Sequence, residues 1–124
     1  MFGYCTALID TPKFDIVNYD INVPVGFYGI YEGMFRGCTN LETLPKLSIK
    51  DIPNQAYRNM FKGCTKIKLS ETQTGEYQNE FRIPYDGYGA VGTNSLEDMF
   101  ASTGGTFKGT PTVNITYYTS NQVL

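Results

Sequence analysis

The apolar positions along this chain recur as a fixed word. Tyr31-Glu32-Gly33-Met34-Phe35-Arg36-Gly37-Cys38-Thr39-Asn40-Leu41 returns as Tyr57-Arg58-Asn59-Met60-Phe61-Lys62-Gly63-Cys64-Thr65-Lys66-Ile67. A truncated copy opens the chain as Met1-Phe2-Gly3-Tyr4-Cys5-Thr6-Ala7-Leu8, and a worn one reads Leu96-Glu97-Asp98-Met99-Phe100, followed by Ala101-Ser102-Thr103. The shared pattern is Met-Phe-x-x-Cys-Thr-x-Leu. Each copy predicts a short turn or helix bearing Met-Phe, a Cys-Thr corner and then an extended segment. That segment holds a proline in Leu41-Glu42-Thr43-Leu44-Pro45-Lys46-Leu47, in the in-phase Leu8-Ile9-Asp10-Thr11-Pro12-Lys13-Phe14, and in Phe107-Lys108-Gly109-Thr110-Pro111-Thr112-Val113. Proline cannot donate to a ladder, so these strands must be short.

One such copy cannot bury its own apolar side, whereas stacked copies make a continuous core. The expected architecture is therefore a solenoid of about four irregular coils, starting near Met1, Tyr31, Tyr57 and Leu96. Short parallel strands would stack on one side and helical or turn segments on the other. Met34, Phe35, Cys38, Leu41, Leu44, Met60, Phe61, Cys64, Ile67, Met99 and Phe100 are the expected core. The repeat methionines, Met1, Met34, Met60 and Met99, lie 33, 26 and 39 residues apart. With 26 as the basic coil, the first interval holds 7 additional residues and the last holds 13. Insertions of this kind map to loops on one face. Lys68-Leu69-Ser70-Glu71-Thr72 lacks the Leu-Pro-x-Leu pattern, which predicts an interrupted strand wall there. Residues 107–124 are expected to form a C-terminal cap, because Thr112-Val113-Asn114-Ile115-Thr116-Tyr117-Tyr118-Thr119 alternates like a strand before polar Ser120-Asn121-Gln122.

This motif resembles the BspA-like leucine-rich repeats of bacterial surface proteins, in the Met-Phe-x-Gly-Cys-Thr-x-Leu variant. The resemblance implies a leucine-rich-repeat solenoid over residues 1–124, taken as a single domain. It also implies a place at the cell surface or outside the cell, and a role in adhesion to a host or bacterial surface protein. The N-terminus has neither a basic start nor an apolar stretch of the secretory kind, so the chain is expected to be a piece of a longer array, or a phage or cytoplasmic product.

Composition narrows the function. The 124 residues suit one domain, and a formal charge of −2 with scattered Lys and Arg offers no basic stripe for nucleic acid. No apolar run approaches the roughly 20 residues that span a bilayer. The chain contains no His, which removes serine-triad, cysteine–histidine and most zinc chemistry, and no cofactor is implied. Asp10, Asp15, Asp20, Glu32, Glu42, Glu76, Glu80 and Asp86 show no spacing that marks two as an acid/base pair, and Asp51 and Glu97 suit turns or caps. Gly87-Tyr88-Gly89-Ala90-Val91-Gly92 has the glycines of a dinucleotide loop without its strand–helix setting, so it is expected to be a plain loop. Cys5, Cys38 and Cys64 share one phase of the repeat and are expected to stack as a buried thiol ladder.

No enzyme is expected. The leading expectation is a protein-binding or adhesion module, the second a structural spacer or self-assembling unit, and the third a carbohydrate-binding surface built on tyrosines. Residues 70–94 interleave acids and glycines with aromatic rings, a composition suited to contact surfaces. Tyr77, Phe81, Tyr85, Asp86 and Tyr88 are the candidate partner-binding residues; the alternative is that these aromatic rings fold back to cover the core beside the missing strand pattern. A weaker case covers residues 15–27, with Tyr19 and Phe27. The motif begins at residue 1 without a preceding half-coil, so self-association through the N-terminal coil is expected. Light scattering checks this: the apparent mass should rise with concentration, and a strict monomer over a wide range would exclude it.

Overall fold

A computed structural model describes residues 3–10 and 31–124. Met1, Phe2 and residues 11–30, including the 15–27 insertion with Tyr19 and Phe27 and the acids Asp15 and Asp20, lie outside the described residues.

The Met-Phe segments at Met34, Met60 and Met99 are neither helices nor strands. They are flat ribbons of consecutive β-turns, and their backbone follows a four-residue rhythm. Gly33 and Gly37 are left-handed in the first ribbon, Gln55, Asn59 and Gly63 in the second, and Asn94, Asp98 and Ser102 in the third, with φ between 53° and 79°. Gly, Asn and Asp tolerate this region best, and a residue placed there ends any α-helix after a single turn. Each turn closes with a bond to the carbonyl three residues back, as in Met34 N–H to Tyr31 O and Met60 N–H to Tyr57 O. Only alternate amides are used in this way. The others donate to the next ribbon: Tyr31 to Ala56 O, Gly33 to Arg58 O, Phe35 to Met60 O and Gly37 to Lys62 O, at 2.7–2.9 Å. The second ribbon repeats the pattern onto the third, with Tyr57, Asn59, Phe61 and Gly63 donating to Ser95, Glu97, Met99 and Ala101.

This ladder holds equivalent side chains in register. Phe35, Phe61 and Phe100 stack nearly parallel at centroid spacings of 5.5 and 5.4 Å, and Tyr31 lies on Tyr57 at 6.0 Å. Met34, Phe35, Cys38, Leu41, Leu44, Met60, Phe61, Cys64, Ile67, Met99 and Phe100 are all buried, and Phe81 closes one side by setting its ring edge against Phe100.

The strands continue this stacking only between the second and third copies. Among the described residues there are eight, and all are short: β1 (Thr43–Leu44), β2 (Asp51–Ile52), β3 (Lys68–Ser70), β4 (Asn79–Arg82), β5 (Ala90–Val91), β6 (Gly104–Gly105), β7 (Thr116–Thr119) and β8 (Gln122–Val123). They form three small sheets. β1 pairs with β8 and β2 with β5, both parallel, and the third sheet is mixed with order β4-β7-β3-β6.

The expectation of a leucine-rich-repeat solenoid, with a parallel strand wall and helical segments in about four irregular coils, is therefore corrected. The described residues contain no helix and the sheets are small and mixed: β1, after the first corner, pairs with β8 and not with β3, and of the strands after successive corners only β3 and β6 pair. Two causes are visible. The left-handed residue at every fourth position forbids the helix. The C-terminal strands enter between the first two corners, so that β1 takes β8 as its neighbour and β3 takes β7 on the edge away from β6. Residues 107–124 thus contribute β7, flanked on both sides by other strands, with Tyr117 and Thr119 buried.

Asn121 joins the C-terminal strands to the repeat. Its Nδ2 donates to Glu42 O at 2.9 Å and Lys66 O at 3.2 Å, carbonyls from two successive corners, and its Oδ1 accepts from Lys68 N–H at 2.8 Å. A side-chain amide here substitutes for a strand edge, supplying donors and an acceptor where the backbone ladder has none. The Asn121→Ala variant should lose about 2–4 kcal/mol of stability, the cost of leaving these buried groups unpaired. Urea unfolding measures it, and a loss below about 0.5 kcal/mol, the scale of an ordinary surface change, would remove this role from Asn121.

Candidate functional site

After β4 the chain passes through a cis Ile83–Pro84 peptide, both residues buried, and runs as a loop along residues 47–50. Backbone bonds fasten it at both ends: Tyr85 N–H donates to Leu47 O at 2.7 Å and Ala90 N–H to Lys50 O at 2.8 Å. Asn114 adds a third fastening. Its Oδ1 accepts from Gly89 N–H at 2.7 Å and its Nδ2 donates to Gly89 O at 2.9 Å, so both ends of the amide are engaged. Residue 89 must be glycine, because a Cβ there would sit 2.5 Å from Lys50 O and 2.9 Å from the Pro84 ring. The Asn114 side-chain amide is therefore structural in the folded chain.

The loop so held presents aromatic rings beside cations. Lys46 Nζ lies 4.8 Å from the centroid of the Tyr85 ring, and the Arg82 guanidinium lies 5.5 Å from that of Tyr88. Arg82 Nη1 also donates to Gly87 O, which fixes the guanidinium against the loop. Lys50 reaches the same loop, since a Cβ on Gly87 would meet its Nζ at 3.3 Å. Tyr88 is 79% exposed, Tyr85 is half-buried, and Asp86 is exposed between them. Among the described residues, Lys46, Lys50 and Arg82 form no ion pair with a carboxylate. Next to Tyr85 opens a polar groove of about 510 Å³, lined by Gln78, Glu80, Ser120 and Gln122 among others.

The five expected binding residues thus separate. Tyr85, Asp86 and Tyr88 share the fastened loop. Phe81 is buried against Phe100, and Tyr77 is half-buried in the turn that precedes β4. The cations that complete the surface were not singled out by the sequence reading. No spacing rule links Lys46 and Lys50 to a loop some forty residues later; only Arg82, three residues before Tyr85, lies within local reach. Residues 87–92 are bend and loop except for β5.

Three of the other acids pair with cations at the surface: Glu42 with Lys66 at 3.3 Å, Glu76 with Lys68 at 3.5 Å and Glu97 with Arg58 at 3.6 Å. Exposed pairs of this kind contribute about 0–1 kcal/mol. Among the described residues no three His, Cys, Asp or Glu groups converge as a metal site, and no helix is long and apolar enough to cross a membrane. No protein-family model, no curated protein and no solved structure matches the chain.

The expected ladder of three buried thiols is corrected at one end. Cys38 and Cys64 are buried, and Cys5 is exposed. Cys64 Sγ donates to Phe35 O at 2.9 Å, bridging two ribbons. Burial pushes the Cys64 thiol from 9.0 up to about 12 and raises Cys38 and Tyr57 as well; the Tyr57 hydroxyl has no hydrogen-bond partner among the described residues. The folded state favours the protonated thiol, whereas the unfolded chain ionises near pH 9. The contribution of Cys64 to stability is therefore complete below that pH and should fall between pH 9 and 12 by about 1.4 kcal/mol per pH unit. Denaturation at stepped alkaline pH reads this slope. In parallel, a bulky thiol reagent at pH 8 should label Cys5 at once and Cys38 and Cys64 only after unfolding. Rapid labelling of all three in the folded chain would contradict this burial.

Proposed function

We propose that this chain is a non-enzymatic protein-binding module whose contact surface is the loop carrying Tyr85 and Tyr88, together with Lys46, Lys50 and Arg82. One observation carries the reading: an almost fully exposed tyrosine stands on a loop fastened by backbone and side-chain bonds, beside cations with no carboxylate partner among the described residues. Tyrosine offers a large, stiff contact area at low entropic cost, and Tyr and Arg are the residues enriched where binding energy concentrates. A loop already held in place loses little further freedom on binding. The two cation–ring contacts pre-arrange the charges, each contributing about 0.5–1 kcal/mol at an exposed site.

The partner surface that fits is one bearing carboxylates around an apolar spot. The polar groove beside Tyr85 would take the periphery of such a contact, where hydrogen bonds and bridging waters dominate. An adhesive role at a bacterial or phage-associated surface is part of the proposal and is supported by the motif resemblance alone. Affinity capture with the intact chain, followed by titration of the recovered protein, tests the reading. Tyr88→Ala should weaken binding by about tenfold or more, and Lys46→Glu with Lys50→Glu should weaken it further in a salt-dependent manner. A partner that binds these variants as well as the parent would refute it.

A further inference from the structure

The ribbon ladder has a direction. In every layer the alternate amides point toward the C-terminal layers, so the third ribbon, residues 94–103, turns its own set of donors outward. The chain covers part of this set: Phe100 N–H donates to Gly109 O at 3.1 Å and Asp98 N–H to Thr110 Oγ1 at 2.9 Å. The covering segment then leaves the ribbon. Pro111 follows, and Thr112 N–H is held by the Tyr117 hydroxyl at 3.0 Å. The next two donors in the series, Leu96 N–H and Asn94 N–H, have no acceptor among the described residues.

At this place the structure has a groove of about 290 Å³. One wall is Leu96 with Val91, which is 46% exposed; the other is Pro111 and Val113. Two unmet backbone donors two residues apart therefore line an apolar trough that continues a hydrogen-bonded ladder. An extended peptide presents carbonyls along one edge at alternate residues, about 6.6 Å apart, and sets alternate side chains to either side. Glu97 at the groove and Asp98 beside it disfavour an acidic occupant.

We infer that this trough is a strand-addition site for a short, extended, uncharged or basic peptide segment of a partner protein, read through its main-chain carbonyls by Asn94 and Leu96 and through small β-branched side chains by Val91 and Val113. The site is separate from the tyrosine loop and does not depend on it. Loop recognition works through side chains, whereas the trough recognises backbone.

The test is an amide-resolved NMR titration of the intact chain with the capped peptide acetyl-Val-Thr-Val-Thr-Val-amide at millimolar concentration. The amide protons of Asn94 and Leu96 should move downfield and saturate, while those of Asp98 and Phe100, already bonded, should barely move. Val113→Arg, which fills the trough, should weaken binding by about tenfold or more. Val91→Arg at the exposed rim should do the same if the first variant fails to fold, which the same spectra report. Tyr88→Ala should leave the titration unchanged. Absence of saturable shifts at the two amides would overturn the inference. So would shifts that grow with protein concentration before peptide is added, because a second copy of the chain would then occupy the trough.

Discussion

The structure depends on a division of labour among backbone amides. A left-handed residue at every fourth position of each ribbon stops the helix after one turn. An α-helix would have consumed every amide within its own segment. Here half of them close the turns and half remain to bond the neighbouring layer, so the same dihedral rhythm that forbids the helix creates the stack. Glycine bears this rhythm in the first ribbon, and Gln55, Asn59, Asn94, Asp98 and Ser102 take most of it in the next two. A non-glycine residue in this region costs about 1–2 kcal/mol, less for Asn and Asp, so the later ribbons hold the conformation against intrinsic preference. The inter-ribbon bonds and the Phe35–Phe61–Phe100 column offset that cost.

Where the repeat loses regularity, side-chain amides replace the missing backbone partners. Asn121 links successive corners to the C-terminal strands, and Asn114 pairs with both polar groups of Gly89. Asn54 plays a smaller version of the part, accepting from Thr93 N–H at 2.7 Å. Asparagine suits this task because its amide carries the same donor and acceptor as a peptide group. The insertion after the second ribbon is thereby fixed to the stack, and the loop with Tyr85 and Tyr88 is held against the core beneath it.

Two surfaces of contrasting chemistry result. On the tyrosine loop, rings and cations project from a fastened backbone. At the outer ribbon, the backbone itself is the exposed group, because the ladder reaches its last layer before its donors are exhausted. The first follows from the insertion after the second ribbon and the second from the directionality of the stack.

Some of this was legible in the residues alone. The Met-Phe-x-x-Cys-Thr-x-Leu word marks which positions are apolar and in phase, and Phe35, Phe61 and Phe100 carry that phase into one column. Tyr85 and Tyr88 also stand out by composition, because glycines and acids surround them. The periodic word, however, does not distinguish a turn ribbon from a helix. Both bury the same positions, and the difference lies in the φ angles of Asn59, Asp98 and Ser102, residues that also occur in helices. Strand pairing was likewise outside local reach. β7 and β8 join corners more than forty residues earlier, and parallel partners are chosen by how whole layers pack rather than by any residue spacing. The burial of Phe81 beside the exposure of Tyr88 has the same origin. Sequence periodicity sets which side chains must leave water, but only the closed set of backbone hydrogen bonds decides which neighbours they meet.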